Sequence, residues 1–115
     1  MHELSLALSL LEQIGAVAER ERATRVSSVH LRVGRMSGIV RDALLFSWEL
    51  ARADTIAGEA VLVIDDVAVA VWCPRCDAER PVRDGEGLMC VECGTIAPTI
   101  VRGRELELTS MEVVS

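Results

Sequence analysis

Four cysteines constrain most of what this chain can fold into. They fall in two C-x-x-C pairs, Cys73-Pro74-Arg75-Cys76 and Cys90-Val91-Glu92-Cys93-Gly94, with thirteen residues between Cys76 and Cys90. Two residues between thiolates let both sulfurs face one point while the backbone curls around it. Two such pairs supply the tetrahedral four-sulfur set that Zn²⁺ takes, at Zn–S distances of about 2.3 Å. The gap is slightly shorter than usual for a zinc ribbon, yet it closes a hairpin. Pro74 fixes φ and Gly94 admits φ > 0, as tight knuckle turns require. The same residues also admit two disulfides, free thiols or a redox pair. Two matched pairs favour metal, so Cys73, Cys76, Cys90 and Cys93 are expected to hold a structural Zn²⁺.

The 115 residues suffice for one modest core plus a small metal-stapled unit. Phe46, Trp48 and Trp72 are the only aromatic residues, so that core must be aliphatic. The formal charge of −6 and pI near 4.9 weaken a nucleic-acid reading, which wants a basic face for phosphate contacts. Without tyrosine there is little platform for stacking bases. No nucleic-acid partner is expected, and the acidic surface suits a basic protein patch instead. Met1-His2-Glu3 runs straight into an apolar helical pattern without a basic leader, and Glu12 interrupts that run. No stretch reaches the roughly 18 apolar residues of a membrane span. Reduced cysteines at zinc spacing point to the cytoplasm.

Leu4, Leu8, Leu11, Ile14 or Gly15, and Ala18 recur at helical spacing, which predicts a helix from Leu4 to about Arg22. Val29, Leu31 and Val33 alternate with Ser28, His30 and Arg32, which predicts a half-exposed strand over Val26–Val33. A second helix is expected from about Arg41 to Arg52, burying Leu44, Leu45, Trp48 and Ala51. Ala60 to Trp72 is β-branched and reads as one long strand, bent or bulged at Asp65-Asp66. Asp84-Gly85-Glu86-Gly87 marks a hairpin tip between the knuckles. Leu106 and Leu108 alternate with Glu105 and Glu107, then Met111 and Val113 continue with shifted parity, which implies a bulge near Thr109-Ser110. This last strand is expected to return beside the Ala60–Trp72 strand. The architecture that follows is α+β: a three-stranded, mainly antiparallel sheet with two helices on one face, plus a zinc-ribbon excursion. The domains are then residues 1–72 with 104–115, and residues 73–103.

That sheet-and-helix unit carries no phosphate loop, dinucleotide fingerprint or nucleophile elbow, so an enzyme is not expected. Asp65 and Asp66 are adjacent and point to opposite faces of a strand, which argues against paired-carboxylate catalysis. His30 reads as a surface or cleft histidine without a ligand role. His2 is different. The Met1 amine and the deprotonated His2 amide close a five-membered ring on a metal, and His2 Nδ1 closes a six-membered one. The Glu3 amide or carboxylate completes a square-planar set, which selects Ni²⁺ or Cu²⁺ over zinc. Taken alone, any chain beginning Met-His offers this chelate.

Several stretches together resemble the HypA/HybF family of nickel metallochaperones. They are Met1-His2-Glu3-Leu4-Ser5-Leu6, Val33-Gly34 with Ser37-Gly38, Thr55 with Gly58-Glu59-Ala60, Trp72 with the two cysteine knuckles, and Ser110-Met111-Glu112-Val113. The resemblance spans the whole chain. It implies a carrier of Ni²⁺ for assembly of the [NiFe]-hydrogenase active site, with nickel on Met1, His2 and Glu3 and zinc on the four cysteines. It implies a HypB-type GTPase and the hydrogenase large-subunit precursor as partners, and a monomer or homodimer. Where many relatives place an acidic residue two positions past the Ser-Gly pair, this chain has Val40, with Asp42 the nearest carboxylate. Histidines that flank the zinc cysteines in some relatives are absent. The rival readings are a zinc-ribbon adaptor and a thiol redox switch.

Overall fold

A computed structural model of the chain describes residues 2–83 and 85–115. They form two helices and six strands: α1 (His2–Arg20), β1 (Arg25–Gly34), α2 (Arg41–Ala51), β2 (Val61–Val67), β3 (Ala70–Cys73), β4 (Ala78–Pro81), β5 (Ile100–Arg102) and β6 (Leu106–Val114). The strands make two three-stranded sheets, ordered β2-β1-β6 and β4-β3-β5. Two compact units result. One is Met1–Arg32, Ile39–Asp65 and Glu107–Ser115; the other is Val33–Gly38 and Asp66–Leu106, which contains all four cysteines.

In the first unit α1 buries Ala7, Leu10, Ile14 and Ala18. This stripe is rotated from the expected one: Leu4 and Leu8 are 43% and 52% exposed. The apolar positions permit two neighbouring stripes at the same spacing, and packing selects the one containing Ala7 and Ile14. The helix stops where Arg22 turns left-handed at φ 54°. The Ala23 N–H then bonds back to the Ala18 carbonyl at 2.9 Å, closing a Schellman-type end. Helix α2 packs against α1. It buries Leu44 and Trp48. The Trp48 Nε1–H donates to the Ala60 carbonyl at 3.0 Å, and Arg52 donates to the same oxygen at 2.7 Å. The unit's one fully buried ring thereby satisfies its polar atom and pins the turn before β2.

The sheet of this unit is mixed. Thr24 and Gly34 N–H groups donate to the carbonyls of Val114 and Glu105, so β6 runs antiparallel to β1. Val26 and Arg35 donate to Ile56 and Val67, partners that rise in the same order, so β2 runs parallel to β1 with α2 as the crossover. Among the described residues, three of the four strand pairings are antiparallel. The last strand therefore pairs with β1, and not with the Ala60–Trp72 stretch as the sequence suggests. The reason is burial. Val26, Val29, Leu31 and Val33 are all buried, which makes β1 the strand that profits from a neighbour on each side. In β6 the half-buried residues are Leu108, Met111 and Val113, so inward parity shifts at Thr109-Ser110 as expected.

The stretch from Ala60 to Trp72 is not one strand. It breaks at Ala68-Val69 into β2 and β3, which belong to different sheets. Asp65 and Asp66 stay inside β2. Both are exposed on this edge strand, so neither forces the bend expected there. The second unit explains the actual break. Gly103, at φ 118°, packs so closely on Val69 that a Cβ would lie 3.0 Å from the Val69 Cα. A Cβ on Gly34 would lie 2.1 Å from the Gly103 carbonyl oxygen. Two bare backbones thus meet where the chain changes sheets. Strand β3 pairs β4 antiparallel, Val71 with Arg80 and Cys73 with Ala78, and pairs β5 on its other side. The hairpin tip expected at residues 84–87 lies partly outside the described residues, since Asp84 is not among them.

Candidate metal centre

The four sulfurs converge. All ligand atoms of Cys73, Cys76, Cys90 and Cys93 lie within 4.8 Å of one another, and this is the one such group of metal-ligating side chains among the described residues. Cys73 Sγ is 3.5 Å from Cys93 Sγ, and Cys76 Sγ is 3.8 Å from Cys90 Sγ. The edge of a tetrahedron with arms of about 2.3 Å is about 3.8 Å. A disulfide requires about 2.05 Å, and all four cysteines are free. The donor set and its spacing fit Zn²⁺.

Local chemistry builds each knuckle. Strand β3 delivers Cys73, and the Cys76 N–H turns back to donate to its sulfur at 3.4 Å. Asp77 then takes a left-handed φ of 53°, starting the return along β4. In the second knuckle the Gly94 N–H bonds the Cys90 carbonyl at 2.9 Å, and the Cys90 N–H bonds the Thr95 carbonyl at 2.9 Å. Gly94 supplies the left-handed φ of 75° that this turn needs.

Two neighbours of the sulfurs are not evident in the C-x-x-C motif. Thr95 Oγ1 lies 3.1 Å from Cys93 Sγ. The Thr95 hydroxyl, then its N–H, hold the Cys93 thiol down to about 6 against the opposing effect of burial. Cys76 moves the other way, to about 11, chiefly through its bond with Cys93. For Cys90 burial pushes upward, yet the N–H groups of Cys93 and Glu92 outweigh it and the thiol ends below its ordinary value. The second neighbour is Arg80. Its guanidinium bonds Cys76, which raises the pKa of the arginine. Its Nε is buried without a hydrogen-bond partner. A hairpin register beginning at Cys73 would have found Arg80, because it sits opposite Val71, two residues before that cysteine.

The candidate nickel terminus is only partly described, because Met1 lies outside the described residues. His2 is exposed and opens α1. Glu3 Oε2 accepts the N–H of Val40, the N-cap residue of α2, at 3.1 Å. That bond first, and one from its own N–H second, hold the Glu3 carboxyl below the usual carboxylate range. The loop position that carries Val40 is therefore joined to the N-terminus through its backbone. Asp42 follows two residues later, exposed in the first turn of α2. His30 Nδ1 faces Asp65 Oδ2 at 3.8 Å, partly exposed, and His30 is not part of the cysteine group.

A family model described as hydrogenase/urease nickel incorporation metallochaperone, HypA, matches residues 1–113. The chain belongs to the HypA family. A protein of Roseiflexus sp. named hydrogenase maturation factor HypA is 43% identical over 112 residues, covering 97% of this chain and 91% of its own length. A HypA of the same description from Streptomyces avermitilis is 38% identical over 112 residues, covering 96% and 86%. The fold is that of the Helicobacter pylori nickel metallochaperone HypA in solution, with a TM-score of 0.70 at 23% identity over 98% of this chain and 97% of that one. Another HypA solution structure gives a TM-score of 0.73 at 24% identity, covering 99% and 97%. The HypA relatives are maturation factors and metallochaperones by name. Among the described residues no helix is long and apolar enough to cross a membrane.

Proposed function

We propose that this chain carries Ni²⁺ at its N-terminus and delivers it during maturation of [NiFe]-hydrogenase, while Cys73, Cys76, Cys90 and Cys93 hold a structural Zn²⁺. The observation that carries the reading is the start of α1 at an exposed His2 in a chain of the HypA family. The first N–H groups of a helix have no intrahelical partner, so the amide nitrogens at this end are not committed to the helix. The positive end of the helix dipole disfavours a bare cation. Deprotonated amides bring negative charge with them, which makes an amide chelate the suitable way to hold Ni²⁺ there. Nickel would sit on the Met1 amine, the His2 amide and imidazole, and a donor from Glu3.

The mechanism is transfer without catalysis. An exposed terminus can exchange ligands one at a time with an acceptor, and Glu3 is poised to let this happen. Its carboxylate rests on the Val40 N–H, so it can leave that bond for the metal and return when the metal goes. Protons compete for the amine and imidazole, so the site should empty as pH falls. A HypB-type GTPase and the hydrogenase large-subunit precursor are the partners this reading assigns, in the cytoplasm. This reading assigns nickel to a domain of residues 1–72 with 104–115 and zinc to a ribbon of residues 73–103, although the compact units divide elsewhere, with Val33–Gly38 and Asp66–Leu106 in the cysteine-bearing one. When bound, Zn²⁺ supplies cross-linking of the two knuckles. Arg80 and Thr95 offset the charge that gathers on its four thiolates.

Metal analysis tests this. The unsubstituted chain should bind one zinc and one added nickel. The His2→Ala chain should keep the zinc and lose the nickel, as should a chain extended by one residue before Met1. Undiminished nickel uptake by His2→Ala would refute the assignment.

A further inference from the structure

Among the described residues, strand β6 has one side on β1 and no strand paired on the other. It is an edge of the sheet β2-β1-β6, nine residues long, with no proline, glycine or lysine to blunt it. Its bonds to β1 give the direction of its backbone groups. The Glu112 and Val114 carbonyls accept Ser27 Oγ at 3.2 Å and the Thr24 N–H at 2.7 Å, so both face inward. Alternation turns the N–H and C=O of Met111 and Val113 outward. On the near side of the parity shift the Glu105 carbonyl accepts the Gly34 N–H, so Glu105 and Glu107 face inward and Leu108 faces outward. The side chains of Leu108, Met111 and Val113, with Val17 and Glu21 of the α1 end, line an open groove of about 470 Å³. A free backbone template beside a groove for side chains meets the two requirements of strand addition.

Charge decides the occupant. A second copy would have to pair antiparallel about a two-fold axis. The register that matches outward groups on both sides of the parity shift sets Leu108 opposite Met111, and it then sets Glu107 opposite Glu112 twice. Like charges directly opposite destabilise a strand pair, and β6 contains no basic residue to relieve them. Both carboxylates are exposed and the whole chain carries −6. We infer that the β6 edge and its groove dock an extended segment of another protein, one with Lys or Arg opposite Glu107 and Glu112 and an apolar side chain entering the groove. This does not depend on the nickel reading.

The test uses the full zinc-loaded chain and a capped seven-residue peptide of alternating lysine and valine. Hydrogen exchange at the Leu108, Met111 and Val113 amides should slow when the peptide is added, and added salt should reverse the effect. A peptide with glutamate for lysine should bind roughly tenfold more weakly. A peptide N-methylated on its pairing edge should give no protection. The Glu107→Gln, Glu112→Gln double variant should lose most of the preference for lysine over glutamate. The inference is overturned if these amides are not protected, or if the glutamate peptide binds as well as the lysine one. Protection that grows with the concentration of the chain alone would also overturn it, by assigning the edge to a second copy.

Discussion

Single residues around the sulfurs determine which thiol is reactive. Cys93 is held down to about 6 by the Thr95 hydroxyl and N–H, so in the metal-free chain it is largely thiolate at neutral pH. Cys76 is pushed up to about 11 and stays protonated there. Iodoacetamide at pH 7 should therefore label Cys93 first and Cys76 last, as read by peptide mass spectrometry. Labelling of Cys93 should fall off as pH drops through about 6. Thr95→Val removes the hydroxyl and should slow it at pH 7, and zinc should protect all four sites. Equal labelling of the four cysteines at pH 7 would contradict this ordering. The four cysteines themselves are plain in the two C-x-x-C pairs. Thr95 is not, because its hydroxyl reaches Cys93 only through the turn that Gly94 makes.

At the scale of elements, Trp48 joins α2 to the turn before β2. Its ring is 1% exposed and its Nε1–H reaches the Ala60 carbonyl. Trp48→Phe keeps most of the apolar volume, and the Arg52 guanidinium still satisfies the carbonyl. It should cost about 1–2 kcal/mol, the lost bond plus some volume. Trp48→Ala leaves a cavity as well and should cost about 3–5 kcal/mol. Urea unfolding with circular dichroism at 222 nm checks both. Equal losses would mean that the hydrogen bond, not the volume, matters most. Helix α2 was legible in its sequence because Leu44 and Trp48 stand one turn apart in a short stretch with a single apolar face buried. Helix α1 was legible as a helix but not in its orientation, because Leu4 and Leu8 offer a second stripe that the core does not use. Strand pairing was the least legible. The valine-rich run from Ala60 to Trp72 shows β propensity throughout and gives no sign that Gly103 divides it.

For the whole molecule, the two tryptophans report on different units, Trp48 in the first and Trp72 in the second. The second unit buries few apolar side chains, Val33, Ala70, Val71, Cys73, Cys90 and Ala97 among the described residues, so metal must supply much of its folding energy. Chelating zinc from single-tryptophan variants should shift Trp72 emission to the red and leave Trp48 emission and the helical signal nearly unchanged. Loss of both signals together would show that the units fold as one. The sequence by itself determined the four-cysteine candidate metal site, the two helices and the family, because each depends on local spacing that one stretch of chain carries. Tertiary structure alone decided that β1 is the central strand, that β6 lies at an edge, and that Arg80 and Thr95 stand at the sulfurs. Those outcomes depend on which surfaces compete for burial once distant stretches meet. The approach of Gly34 to Gly103, almost seventy residues apart, leaves no periodic trace in either stretch.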